Sequence, residues 1–299
     1  MVQIGDAALR SEVVDAAVKC FAVRQYKFKQ AVSIVPTNAW NNVFWRENPD
    51  VLAAGTTASI EGVPPGAAFP QLRATWTRHS AVIKKHAAEV SITWEDILAG
   101  EIDVQSRQMF KLSEAVTKSV DDEIYDILSE GAASGTYGVA TPPANINQVA
   151  ISAAKHWSGT SAAILDNIYH ASQFIASASY STQNLICFVS PNDKRSIMRW
   201  VTDKGAQFNS LSADIAINGG FIKLGGISFV ETMSVPASNA LVVVPKICGT
   251  WKELVPFSTT TISDPYRSTT LRAVEEGLAY ITDPKSITLI TNTQGPGTE

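Results

Sequence analysis

Four histidines, one run of three acids and three cysteines carry most of the metal-binding or catalytic chemistry available to this chain. Their spacing argues against both uses. His79, His86, His156 and His170 show no HxH or HxxxH spacing, so no two would face one metal from a single strand or helix. Asp121, Asp122 and Glu123 could in principle bind a metal or act as an acid–base couple. Neighbouring helical positions point ~100° apart, however, so the triplet spreads over different faces and reads as a solvated helix surface. Cys20, Cys187 and Cys248 are odd in number, far apart and form no CxxC, which implies neither a zinc knuckle nor a disulfide framework. Cys187 lies in an apolar run and is expected in the core. Gly219-Gly220 and Gly225-Gly226 precede no helix with Lys-Ser/Thr, and they read as a turn and a strand kink rather than a phosphate cradle. No GxSxG elbow, Walker loop or GxGxxG after a strand occurs. The expectation is a chain with no catalytic residue, no cofactor and no metal.

Composition points to a different kind of work. The 299 residues suffice for one large or two moderate units. Hydrophobic residues make up 45%, enough for a core, whereas charged residues make up 17%. Soluble domains usually carry about 25% charge. The deficit suggests that nominal surface is covered, most simply by partner subunits. A net charge of −4 argues against an electrostatic nucleic-acid binder. The local basic group Arg73, Arg78, His79, Lys84, Lys85 and His86 therefore reads as a wet strand face or a subunit contact. Trp40, Trp45, Trp76 and Trp94 could stack bases. Without a basic excess they fit better as core or interface anchors. The N-terminus lacks the apolar segment of a signal peptide. No run approaches the ~20 apolar residues that cross a bilayer. A soluble protein without membrane contact, suited to a reducing cytoplasm, is expected.

The elements that would position these residues follow from periodicity. Val13, Val14, Ala17, Val18 and Phe21 suggest a short helix over 9–24 that is marginal alone and would dock on something. Residues 31–46 read as extended, with Pro36 as a breaker. The stretch from Gly55 to Pro70 is punctuated by Gly and Pro and has too little apolar content to pack on itself. The chain returns as one long strand over Leu72–Thr93, where Leu72, Ala74 and Trp76 alternate with polar neighbours. A very long helix follows within Glu95–Glu130, its main rod starting at Asp103. Met109, Leu112, Val116, Val120, Ile124 and Ile127 form its continuous stripe. Residues 160–250 read as an α/β unit. Its helix face is Ile164, Ile168, Ala171 and Ile175, its buried strand is Leu185–Val189, and Ser190-Pro191 starts a second helix. Strands over Phe221–Glu231 and Leu241–Val244 follow, and Thr260–Thr291 alternates again. A hairpin that cannot bury itself needs a neighbour, which marks a building block rather than a pocket.

In this order the parts resemble the major capsid proteins of tailed double-stranded DNA viruses, the HK97-fold family. The stretch RATWTRHSAVIKKHAAEVSITWEDILAGEIDVQSRQMFKLSEAVTKSVDDEIYDIL is similar to the family's loop-return strand and spine helix. FVSPNDKRSIMRWVTDKG with GGISFVETMSVPASNALVVVPK is similar to its axial domain, and TLRAVEEGLAYITDPKSITLI to its closing segment. The resemblance implies an α+β HK97-like capsid fold. It would comprise an N-terminal arm (1–38), an extended β-hairpin loop (39–80), a peripheral domain with the spine helix (81–145 and 255–299) and an axial α/β domain (146–254). It implies a structural shell protein assembling into hexamers and pentamers around double-stranded DNA, not an enzyme. The loop would lie over an adjacent subunit through Trp45, Arg46, Glu47, Phe69, Arg73 and Arg78. Asp203, Lys204 and Asn209 would make contacts near the capsomer axis. Implied partners are copies of itself, a portal, scaffolding or decoration proteins, and packaged DNA without sequence-specific binding. The implied location is the virion capsid, assembled in the host cytoplasm. An encapsulin-type compartment shell is the alternative. A soluble metal-dependent hydrolase using the acid triplet is a second, from another class.

Overall fold

The computed structural model describes residues 26–47, 64–66, 76–95, 102–129, 146–152, 154–159, 161–204, 215, 223–264 and 267–295. Its helices are α1 (Phe28–Ala31), α2 (Ile102–Leu128), α3 (Ile164–Ser177) and α4 (Pro191–Asp203). Its strands are β1 (Ser33–Pro36), β2 (Asn41–Glu47), β3 (Trp76–Val82), β4 (Lys84–Thr93), β5 (Asn147–Ala150) and β6 (Ile186–Val189), followed by β7 (Lys223–Leu224), β8 (Ile227–Glu231), β9 (Asn239–Val243), β10 (Gly249–Asp264), β11 (Ser268–Ile281) and β12 (Ile287–Thr291).

Alternation builds the first sheet, ordered β1-β10-β11-β4. Along β11, Thr269, Leu271, Ala273, Glu275 and Gly277 turn inward. Against this face lies α2, about 40 Å long for its 27 residues. The predicted stripe is the buried one, with Leu128 rather than Ile127 fully buried at its end. Trp251 of β10, wholly buried, fills the space over Gly277, where a Cβ would overlap the indole.

The second sheet is ordered β5-β12-β9-β6-β8-β7. Its central strands are apolar on both faces because both faces are covered. Phe188, Leu241, Val243 and Leu289 join the core beneath α2, whereas Cys187, Val189, Val242 and Ile290 pack under α3 and α4. The α3 face predicted from sequence is buried in full. Ser190 caps α4 by accepting the Asp193 N–H at 3.2 Å, with Pro191 at the first helical position. Helix α4 joins parallel strands β6 and β8, the crossover such a pair requires.

Four sequence expectations are corrected. The long return strand is two strands: β3 pairs with β2, β4 pairs with β11, and buried Ile83 between them donates its N–H to Trp40 O at 3.1 Å. Gly225-Gly226 is not a strand kink. Both residues have positive φ and form the two-residue turn between β7 and β8. Third, the loop expected from Asp203 starts one residue late, since Asp203 is the last residue of α4. The fourth concerns the segment 255–299, expected to belong to one unit. Position 255 falls inside β10, and β12 sits in the six-stranded sheet between β5 and β9. The run Ile287–Ile290 is buried at every position, which suits the middle of a doubly covered sheet. The expected helix over 9–24, Cys20 and Gly219-Gly220 lie outside the described residues. Among the described residues, no helix is long and apolar enough to cross a membrane.

Candidate functional site

Two features stand out: an apolar face turned to solvent and a charged seam turned inward. The first is the β2–β3 hairpin. Its register places Asn41 opposite Val82, Val43 opposite Ser80 and Trp45 opposite Arg78. Period-2 alternation sends Asn42, Phe44 and Ala81 down onto the body. Phe44 stacks on Tyr280 with ring centroids 4.4 Å apart, and Leu278 closes that small core. Asn42 also ties the connection behind β1, donating to Ala39 O at 2.7 Å. The other face therefore points outward, and it is apolar. Trp45 is 55% exposed, Val82 48% and Val43 38%, with Trp40 at 52% just before β2. Six of the eleven exposed large apolar side chains among the described residues fall at or before Val82, in β1, the hairpin and the link between them. Single exposed apolar residues are ordinary; a cluster on one projecting element marks a contact surface.

The second feature joins α2 to the four-stranded sheet and to the segment leading into α1. Asp121, buried, accepts the N–H of Lys27 at 2.6 Å and of Lys29 at 3.2 Å. It caps α1 from more than ninety residues away, since Lys27 offers no side-chain cap. Lys29 Nζ bridges Glu275 at 2.6 Å and Glu253 at 2.7 Å. The Tyr26 hydroxyl donates to Glu275, and Lys29 Nζ lies 5.8 Å from the Trp251 ring centroid. On the other side of α2, His86 Nε2 sits 2.6 Å from Glu123 Oε2 and His86 Nδ1 2.8 Å from Ser119 Oγ.

Asp121, Glu123 and His86 thus correct the sequence reading. The acid triplet is not a solvated face: Asp121 and Glu123 are buried on opposite flanks of α2, and only Asp122 is half-buried. His86 likewise is no wet strand residue. Their partners lie far away in sequence, so spacing could not reveal them. The arrangement holds an element in place. Each buried acid is already engaged by backbone N–H groups, a lysine or a histidine, and no group of three or more potential metal ligands occurs among the described residues.

Burial pushes the Asp121 carboxyl from its ordinary 3.8 up to about 6, only partly offset by the N–H groups of Lys27, Lys29 and Phe28. For an acid whose folded pKa is raised, the penalty is complete above the folded value and vanishes below the unfolded one. Relative to Asp121→Asn, the natural chain should therefore gain stability as pH falls from 7 to 4, on the order of 3 kcal/mol. Urea unfolding of both proteins across that range checks this; a flat difference, or one of opposite slope, contradicts it. Burial likewise pushes the Cys248 thiol up to about 12 and Cys187 higher still, so both are inert core residues.

Of the predicted contact residues, the hairpin brings Trp45 and Arg78 face to face, both exposed, and carries Arg46 and Glu47 in β2. Asp203 and Lys204 lie exposed at the end of α4, where Asp203 is 3.9 Å from Arg199. Phe69, Arg73 and Asn209 lie outside the described residues. Phe44 and Tyr280, which seat the hairpin, escaped the sequence reading; the alternation of Phe44 with Val43 and Trp45 was the available signal.

The comparisons agree with this architecture. The capsid of cyanophage P-SCSP1u superimposes with a TM-score of 0.66 at 14% identity, covering 89% of this chain and 88% of that one. The mature capsid of bacteriophage PhiM1 gives 0.61 at 16%, covering 91% and 88%. A virus-like particle from Pyrococcus furiosus gives 0.59 at 8%, covering 93% and 98%. The fold is HK97-like. No curated protein matches the sequence. The encapsulin alternative has less support than the phage reading, and the hydrolase alternative loses its acid triplet to structural roles. The phage capsid protein family model matches residues 77–289, most of the chain, including α2, α3, α4 and most of both large sheets, and the chain belongs to that family of structural, shell-forming proteins.

Proposed function

We propose that this chain is the major capsid subunit of a tailed double-stranded DNA phage, forming the hexamers and pentamers of an icosahedral shell. The observation that carries this reading is the outward face of the hairpin, Val43, Trp45 and Val82, apolar and exposed on an element seated by its other face. In the shell this face lies on an adjacent subunit, and Arg46, Glu47, Phe69, Arg73 and Arg78 take part in the same contact. Asp203, Lys204 and Asn209 make contacts nearer the capsomer axis. One sequence must satisfy fivefold and quasi-sixfold surroundings. The doubly covered sheet and the α2 seam stay fixed while the hairpin adjusts where it leaves the body. Each contact is weak, and closure multiplies them. A net charge of −4 gives the shell no means of condensing DNA by charge, so the packaged DNA is held without sequence-specific binding. A portal, with scaffolding or decoration proteins, completes the particle, and assembly takes place in the host cytoplasm.

Electron microscopy of the purified full chain tests the reading. Closed particles or capsomers are expected at high protein concentration. A compact monomer at every concentration and salt tried would overturn it.

A further inference from the structure

One flank of the α/β unit holds a cleft of about 470 Å3 between α4 and the turn over residues 157–159. Its walls are fixed within the subunit. The Trp157 N–H donates to Thr293 O at 2.7 Å, and the Gly295 N–H to Ser158 Oγ at 3.3 Å. Gln294 Nε2 donates to Asp193 Oδ1 at 2.6 Å, while the Ser190 hydroxyl donates to the other oxygen of that buried carboxylate at 2.6 Å. On the α4 side, Trp200 Nε1 donates to Ala162 O at 3.0 Å, just ahead of α3. A site held in this way is organised before any ligand arrives.

The lining is cationic and rich in donors. Arg195, Arg199 and Lys204 stand in it against a single acid, Asp203. Among the described residues Arg195 and Lys204 have no ion partner. Arg199 Nε lies 3.9 Å from Asp203 with both side chains open to water, a pair worth little. Arg195 and Arg199 are four residues apart, so they leave α4 on one face with Cβ atoms ~5–6 Å apart, and their two guanidinium forks can converge on one ligand. A second, independent feature is a neutral donor. Trp157 belongs to the cleft wall yet is wholly buried, and its indole N–H meets no acceptor. A buried donor left unpaired is costly, and an oxyanion, or a water that it orders, supplies the missing acceptor. Three cations suit a multiply charged anion better than a single carboxylate, and forked guanidinium groups match phosphate oxygens. The volume has room for more than one phosphate group and falls within the ~300–1,000 Å3 of small-ligand sites.

We propose that the α4 cleft binds an anion carrying two or more phosphate groups, with Arg195 and Arg199 as forked donors, Lys204 as the third charge and the Trp157 indole N–H as the buried donor. The phosphates belong either to a free polyphosphate or to a nucleic-acid backbone, which share this chemistry. Every residue used lies in one subunit, so the proposal does not rest on the shell-forming reading. Titration calorimetry of the full chain at physiological salt tests it, with inorganic pyrophosphate and, separately, a short single-stranded oligodeoxynucleotide. At least one should bind, and R195Q/R199Q should weaken that binding at least ~tenfold. R107Q/K111Q, which removes two charges from the exposed side of α2, should leave it unchanged. Binding of pyrophosphate alone supports the site and assigns it to a free anion; binding of the oligonucleotide with the same loss supports it and assigns it to the backbone. A second measurement follows the buried donor. With isotope-labelled tryptophan, the indole N–H resonance of Trp157, identified by its absence in Trp157→Phe, should shift as the binding probe saturates. No binding of either probe, equal weakening in both double variants, or a Trp157 resonance unmoved at saturation overturns the proposal. Particle formation is read separately by microscopy, so each of these failures leaves the shell reading intact.

Discussion

Lys29→Ala is expected to destabilise the subunit by about 3–5 kcal/mol, among the largest effects of any single change outside the apolar core. The lysine is the cation that bridges two acids, Glu275 and Glu253, and Glu275 is wholly buried on the inward face of β11. Its removal leaves that charge without its ammonium in a site lined by Trp251 and the Tyr26 hydroxyl. Breaking a buried pair costs far more than replacing it whole. Lys29→Met combined with Glu275→Gln should therefore recover much of the loss. Denaturant unfolding of the unassembled subunit measures both. A loss below ~1 kcal/mol for Lys29→Ala, the worth of an ordinary surface pair, would mean the seam does not hold α1 against the sheet.

Trp45→Ser with Arg78→Glu should do the reverse, leaving the subunit intact and removing assembly. Both residues sit on the exposed face of the hairpin, opposite each other in register. Surface substitutions of this kind usually shift stability by no more than ~0.5 kcal/mol. Buried aromatic anchors at interfaces are worth ~2 kcal/mol or more each, and a closed shell repeats the loss in every subunit. Thermal unfolding should stay close to that of the natural chain while sedimentation shows subunits or small oligomers only. Particles forming at the natural concentration would remove the hairpin's proposed role. The matched change on the inner face, Phe44→Ser, should instead destabilise the subunit, because Phe44 stacks on Tyr280.

What the sequence made legible was local. The α2 stripe, the α3 face, the Ser190-Pro191 start and the burial of Cys187 all follow from residues within a turn or a strand of one another, and each stands in the structure. What it hid depends on distant partners. Asp121 reads as solvated until the backbone of Lys27 and Lys29 is brought against it, and Glu275 looks misplaced in an inward row until Lys29 arrives. The split at Ile83 shows in the alternation only as a change of phase, from inward Ala81 and Ile83 to inward His86 and Ile92, and which sheet each half joins depends on partners far away in sequence. β12 was misassigned for a similar reason: a short apolar strand carries no mark of which sheet it joins. The outward face of the hairpin was legible in part. Trp45 and Arg78 were read as contacts, but only the pairing register shows that they share one outward face with Val43 and Val82.

A high-resolution cryo-electron microscopy map of the assembled particle tests the central claim most directly, through the surroundings of one side chain. The account predicts that Trp45, 55% exposed in the isolated subunit, is covered by a neighbouring copy at every position in the shell, together with Val43 and Val82. Trp45 facing open solvent in a closed particle would contradict it.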